Sequence, residues 1–368
     1  MRIDRIRIND FRNIPSLDLH LCPGPNVIWG ENGQGKTNLI EALWMCTGAK
    51  SFRGARDLQT VRFGCTQGSV ESVFFAQERE QYLYLILDKK RVGLLNGVAM
   101  KSMNEMAGKL CAVVFSPAHL ALVKEGPAAK RRFLDTAICQ LKPAYLDLLG
   151  KYTRVLNQRN QLLKDVRMES SLWDTLELWD DQLCILAAKV IQVRRSYLKK
   201  LAPWAQEIYR GISGGREKLA LEYRATLGAR EREDPMDTHK LRAQLMAARG
   251  EDLRLRATTL GPHRDDMEIR LDGHSARLYG SQGQQRSCVL ALKLAECQLM
   301  REYLGEYPVV LLDDVMSELD EARRTYLLNS LRDRQLVLTC CDAGDFRTLE
   351  GGQAVRIAAG RTAEIRKF

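Results

Sequence analysis

Apolar and polar residues alternate at the start of the chain: Ile3, Ile6 and Ile8 are set among Arg2, Asp4, Arg5 and Arg7. That rhythm predicts a strand, where a signal peptide would carry an unbroken apolar segment. A second alternating stretch, Leu17-Asp18-Leu19-His20-Leu21, predicts another strand, and Asn26-Val27-Ile28-Trp29 a short buried one. Asn38 to Trp44 then reads as the start of a helix. Val70 to Phe75 and Tyr82 to Leu87 read as strands joined through Glu78-Arg79-Glu80. Ala112-Val113-Val114-Phe115 is a buried strand ended by Ser116-Pro117.

Beyond residue 117 the period changes. Leu134, Ile138, Leu141, Tyr145, Leu148 and Tyr152 recur at alternating spacings of four and three, with Pro143 expected to kink or restart the helix. A second stripe runs through Leu172, Leu176, Trp179, Leu183, Leu186, Val190, Val193 and Tyr197. The two flank a polar link, Asp165 to Ser171. They predict an antiparallel helical hairpin about 40 Å long at ~1.5 Å per residue.

From residue 251 the strand rhythm returns. Leu253 to Thr258 and Met267 to Leu271 alternate as strands, and Gly273 turns the chain. A long helix follows over Gln284 to Leu299. Val309 to Leu312 is a fully apolar strand, a helix starts near Ser317, and Leu336 to Thr339 is another buried strand. Ala354 to Lys367 closes as an edge hairpin. The expected organisation is a discontinuous α/β head, residues 1–116 and 255–368, with a helical arm inserted over 117–254.

Composition refines this picture modestly. The 368 residues are 45% hydrophobic and 28% charged, a soluble globular balance with no apolar run long enough to span a bilayer. Ten cysteines lack metal-type spacing and read as reduced thiols of a cytoplasmic protein. The net charge is +10, and residues 117–254 hold 25 Lys+Arg against 18 Asp+Glu. Such a balance suits a polyanionic partner. Lys130-Arg131-Arg132 and Arg194-Arg195 are the densest clusters, equally readable as solvated helix faces. Arg53 and Arg56 form a third candidate contact with DNA phosphate.

The chemistry begins at Gly30-Glu31-Asn32-Gly33-Gln34-Gly35-Lys36-Thr37, which matches the phosphate-binding loop G-x-x-x-x-G-K-[ST] between a strand and a helix. That context aims backbone N–H groups and a helix N-terminus at the phosphates of a nucleoside triphosphate. Lys36 is expected at the β- and γ-phosphates, and Thr37 on Mg²⁺. The strand 309–312 delivers Asp313 and Asp314 at its carboxyl end, where ligands of α/β sheets gather. Asp313 is the expected Mg²⁺-side carboxylate, and Asp314 is suited to orient or deprotonate water. Lys36 and Asp313 are 277 residues apart, so the site is assembled from both ends of the chain.

Tyr279-Gly280-Ser281-Gln282-Gly283-Gln284-Gln285-Arg286 precedes the helix before the acidic strand. At this place Ser281, Gln282 and Gly283 look like the signature motif of ABC-type ATPases, which closes over the γ-phosphate held by another subunit. Ser317-Glu318-Leu319-Asp320 looks like the D-loop of the same class. Phe11-Arg12-Asn13 lies before the phosphate loop, Phe115-Ser116-Pro117 stands at the Q-loop position, and Gly261-Pro262-His263-Arg264-Asp265-Asp266 precedes the signature.

Together these motifs resemble the RecF family of bacterial recombination mediators along essentially the whole chain. The resemblance implies a P-loop NTPase head of the ABC/SMC-like type, with the hairpin as a short arm. It implies an ATP-dependent homodimer on single- and double-stranded DNA at gaps and junctions, with slow hydrolysis, acting in repair, replication and the SOS response. RecR and RecO are the implied partners in loading the recombinase. By likeness to SMC-like heads, Arg12 would touch the α-phosphate or ribose; His263 and Arg264 read as touching the nucleotide or ordering the signature loop, against a packing role. Asp314 stands where the wider class has glutamate, no switch histidine follows Thr339, and Ser116-Pro117 replaces a Q-loop glutamine.

Two other classes stay open: a transporter's nucleotide-binding subunit and an ATP-switched scaffold without hydrolysis. The absent switch histidine, the basic arm and the 261–266 run argue against the first. The intact acidic pair argues against the second.

Overall fold

The computed structural model describes residues 1–120, 122–165, 173–228, 238–342 and 349–368. The opening alternation forms β1 (Arg2–Phe11) and β2 (Ile14–His20), followed by β3 (Pro25–Trp29) and helix α1 (Lys36–Met45). Strands β4 (Gly68–Ala76), β5 (Arg79–Leu87), β6 (Val92–Leu95), β7 (Val98–Ala99) and β8 (Ala112–Phe115) come next. The helical region comprises α2 (Pro117–Leu120), α3 (Pro127–Leu141), α4 (Pro143–Asp165) and α5 (Trp173–Ser213), then β9 (Leu219–Arg224), α6 (Thr238–Ala247) and α7 (Arg249–Leu255). The chain ends with β10 (Asp266–Leu271), β11 (His274–Ser275), α8 (Ala276–Tyr279), α9 (Gln282–Leu304), β12 (Val309–Leu312), α10 (Glu321–Ser330), β13 (Leu336–Cys340), β14 (Gln353–Ala358) and β15 (Arg361–Lys367).

Three sheets result. One is antiparallel, in the order β2-β1-β4-β5-β6-β7. The second, β15-β14-β3-β13-β12-β8, is parallel apart from its β14–β15 edge. Its apolar strands feed two cores on opposite faces, as the period of two requires. Val309 and Leu311 join α1 and the antiparallel sheet in one core, while Val310 and Leu312 face α9 and the helical region in the other. Because β3, β13 and β12 are parallel neighbours, their carboxyl ends meet at one edge. That register brings the two ends of the chain to one place.

Pro143 restarts the helix as expected, at the boundary between α3 and α4. The predicted stripes are the buried seams, through Ile138, Tyr145, Tyr152, Leu176, Leu183, Val190 and Tyr197. The link at 166–171 and Leu172 lie outside the described residues.

Two predicted features differ. Leu253 to Thr258, expected as a strand, begins inside α7, whose C-cap Arg256 is left-handed (φ 54°). Buried Asp252 accounts for this: it accepts from the Thr259 amide at 2.8 Å and from Arg159 at 2.7 Å, fixing the helix from inside. The third sheet, β11-β10-β9, takes β9 from within 117–254 and pairs it with β10. No strand was expected there: Leu219 to Arg224 is only six residues, with Leu219, Leu221 and Tyr223 toward the core and Glu222 and Arg224 exposed.

Candidate nucleotide site

Gly30 ends β3 with φ +147°, and a Cβ there would stand 2.4 Å from the Ile357 carbonyl oxygen. Gly35 has φ +109° and caps α1 without a side-chain acceptor. Only glycine meets both conditions without strain. The first-turn N–H groups of α1 are therefore left for an anion. Lys36 is buried, and its ammonium donates to the carbonyls of Gly30 (2.6 Å) and Glu31 (2.9 Å). The loop is held from outside as well. Asn13 donates to the Gly33 carbonyl at 2.6 Å, and Gln34 accepts from the Ala359 amide at 2.6 Å.

Across the strand ends, the Thr37 hydroxyl donates to Asp313 Oδ1 at 2.8 Å, joining positions 276 residues apart. Thr339, at the end of β13, donates its own hydroxyl to the same oxygen at 3.1 Å and accepts from the Asp314 amide at 2.9 Å. Burial pushes the Asp313 carboxyl above the usual carboxylate range, against the hydrogen bonds from Thr37 and Thr339 that favour its charged form. Its neighbour Asp314 is exposed, left-handed (φ 51°), and in reach of the Ser317 hydroxyl at 3.4 Å. A non-glycine residue in this region stores strain of order 1–3 kcal/mol, as functional positions often do.

A buried carboxylate directly against a threonine hydroxyl fits a divalent cation that keeps most of its ligands as water and phosphate, so Thr37 and Asp313 are the residues that could hold Mg²⁺. Among the described residues there is no cluster of three His, Cys, Asp or Glu side chains suited to any other metal.

Arg12 lies beside the phosphate-loop helix α1. Its guanidinium takes Glu41 bidentately (3.0 and 2.8 Å) and donates to the Gln59 carbonyl at 2.9 Å, bracing α1. The signature residues lie on the surface. Ser281 caps α9 in a reciprocal capping box with Gln284, and Ser281 and Gln282 are exposed. Gly283 packs beneath Arg323, which also bonds Ser287 at 2.8 Å and pairs with Asp320. Arg286 donates to the Glu318 carbonyl at 2.7 Å and pairs with its carboxylate. These contacts join the N-terminal end of α9 to the 317–320 loop.

Three expected DNA contacts are corrected. Lys130 and Arg194 are each 2% exposed, and Arg131 is half-buried. Lys130 pairs with Asp266 at 3.3 Å, Arg131 donates to the Asp265 carbonyl at 2.7 Å, and Arg194 binds Asp135 and the Pro262 carbonyl. They face inward because the 261–266 run supplies acceptors that helices α3 and α5 pack against. Arg132, Arg53 and Arg56 are exposed, and Arg195 is half-buried. His263 bonds the Tyr152 hydroxyl of α4 (2.6 Å) and the Thr258 carbonyl (2.9 Å), so it joins α4 to the turn before β10, while Arg264 is exposed. Thr339, Asn13 and Glu41 were not expected at the site. Asn13 belongs to the Phe11-Arg12-Asn13 run but was given no role there, and Thr339 and Glu41 lie outside the phosphate loop and the acidic pair.

A phosphate loop and an acidic strand end in a two-sheet head, with an outward signature helix, define an SMC-type ATPase head. The family model for the RecF/RecN/SMC N terminal domain matches residues 2–358. Structures of Smc head domains from Pyrococcus furiosus and Pyrococcus yayanosii share the fold, at TM-scores of 0.54 and 0.55 and 15% identity. The chain belongs to the RecF family. It is 42% identical to the DNA replication and repair protein RecF of Agathobacter rectalis over 94% of both chains. It is 37% identical to that of Acetivibrio thermocellus, covering 98% of this chain and all of the relative. A structure of the recombination mediator protein RecF with ATPrS, in the RecFOR pathway, superposes with a TM-score of 0.92 at 35% identity, over 98% of this chain and 97% of that one. A RecF–ATP structure gives the same TM-score at 34% identity. This membership sets the transporter reading aside. Among the described residues, no helix is long and apolar enough to cross a membrane.

Proposed function

We propose that this chain is an ATP-gated DNA clamp of replication and repair, closed by two copies around shared ATP. The carrying observation is an asymmetry within one chain. Thr37 and Asp313 meet at 2.8 Å, so the phosphate-loop half is assembled, whereas Ser281 and Gln282 are exposed. An outward capped helix N-terminus is suited to the phosphates of a nucleotide held by a second copy. Leu278 and Tyr279, large apolar side chains immediately before Ser281, are also exposed, as an interface in a second molecule would use.

In this reading Gly30 to Thr37 and Lys36 hold the triphosphate, and Thr37 and Asp313 hold Mg²⁺. The bound cation neutralises charge on the β- and γ-phosphates. Asp314 orients and deprotonates the attacking water. Its side chain is one methylene shorter than glutamate, which fits slow turnover and a switch more than an engine. The intact acidic pair favours hydrolysis over a silent scaffold. Gapped and junction DNA are the proposed substrates, with RecR and RecO as partners in loading the recombinase, in line with the pathway of the related RecF structures.

The test is binding to gapped and blunt duplex, with and without ATP, at two salt concentrations. Wild type should bind gapped DNA at least tenfold more tightly with ATP, about 1.4 kcal/mol, with affinity falling as salt rises. Lys36→Ala should lose the ATP effect. ATP-independent binding by wild type would overturn the reading.

A further inference from the structure

We propose that residues 50–65 form a DNA-reading platform whose tip, Phe63, stacks on an unpaired base at a duplex–single-strand junction. The inference rests on the clamp reading and assigns its contact surface.

Phe63 is fully exposed, unlike any other large apolar side chain among the described residues. It sits in a tight turn, where the Cys65 amide donates to the Arg62 carbonyl at 3.0 Å and Gly64 takes φ +87°. Around it the segment carries Lys50, Arg53, Arg56 and Arg62 against a single carboxylate, Asp57. All four cations are exposed. Arg62 only leans on Asp10 at 3.7 Å, a surface pair that a phosphate can displace. A second basic turn adjoins. Arg91 donates to the carbonyls of Gly48 (2.9 Å) and Ala49 (2.6 Å), which carries exposed Lys89 and Lys90 to the start of the segment. An aromatic ring held in water among cations is the chemistry of a single-strand stacking site: the ring takes a base face, and the cations take the flanking phosphates.

The platform is strapped to the phosphate-loop helix. Glu41 of α1, fully buried, accepts from Arg12 twice and from the Ser51 hydroxyl, and lies 3.7 Å from Arg53. Arg53 also donates to Asn38 at 3.0 Å, and Arg12 reaches back to the carbonyls of Gln59 and Thr60. Phe52 lies against His119, just beyond the strand end that flanks Asp313. A shift of α1 on nucleotide binding is therefore transmitted to the base of the platform, with Glu41 as a positioning residue.

The experiment measures binding of fluorescently labelled gapped and blunt duplexes with ATP, for wild type, Phe63→Ala, Phe63→Trp, Arg62→Gln and Glu41→Gln. Phe63→Ala should weaken gapped-DNA binding about tenfold and leave blunt-duplex binding within twofold, with Phe63→Trp restoring it. Arg62→Gln should weaken both duplexes alike and lower the salt slope by about one. Glu41→Gln should shrink the ATP-dependent gain in DNA affinity and, by linkage, the DNA-dependent gain in ATP affinity by the same factor. A purely structural role would not produce that reciprocity. Wild type that binds neither DNA overturns the clamp reading itself. Wild type that binds, with Phe63→Ala within twofold on gapped DNA or equally weakened on both, overturns the platform alone.

Discussion

At the residue scale, the nucleotide site turns on hydroxyls as much as on charges. Asp313 is held by Thr37 and Thr339, and Thr339 also carries the Asp314 amide. Thr339→Val keeps the shape of the side chain and removes both bonds. Phosphate release should fall about tenfold, or about 1.4 kcal/mol in the barrier, while ATP affinity changes less than threefold. A loss confined to affinity would contradict the positioning role. His263 offers a pH test. Burial lowers its pKa below the ordinary histidine value. The folded state thus favours the neutral ring, which donates from Nε2 to the Thr258 carbonyl and accepts from Tyr152 at Nδ1. Its stabilising contribution is present above the ordinary value near 6.5 and is lost as pH falls through the lowered one. Thermal scans between pH 7.5 and about pH 5 should show a falling Tm. The fall should be shallower in His263→Gln.

At the element scale, two connections distinguish the fold from a bare α/β sheet. The first ties three helices of the 117–254 region to one another and to Thr258. Arg159, fully buried on α4, bonds Asp180 of α5 at 2.6 Å, and Asp252 of α7 and Thr258 at 2.7 and 2.8 Å. Arg159→Met removes the shared cation from two buried carboxylates. It should cost about 3 kcal/mol, read as a lower denaturation midpoint. The second connection is the Arg286–Glu318 pair between α9 and the D-loop. Much of this level was legible in the sequence where a motif is contiguous: the phosphate loop, the acidic strand end and the capped helix each carry their chemistry within a few residues. Direction was not legible where the deciding partner is remote. Lys130 reads as a surface charge until Asp266, 136 residues away, is seen beside it. Likewise, α7 alternates like a strand, and its buried Asp252 makes it a helix.

At the scale of the whole molecule, the chain's two ends meet at Thr37 and Asp313, and the proposed clamp assigns the exposed Ser281 and Gln282 to a second copy's nucleotide. Coupling through ATP follows if nucleotide binds the paired form more tightly than the single one. Leu278→Asp should then weaken pairing at least tenfold without changing the fold, because that side chain is exposed. Analytical ultracentrifugation with and without ATP checks this.

The most direct measurement is sedimentation of Asp314→Asn with Mg²⁺ and ATP across a range of protein concentrations. With Lys36, Thr37, Asp313 and Ser281 intact and the carboxylate proposed to activate water removed, the variant should accumulate as an ATP-dependent dimer. It should return to monomer when ATP is withdrawn. A variant that binds ATP yet stays monomeric at every concentration would contradict the account.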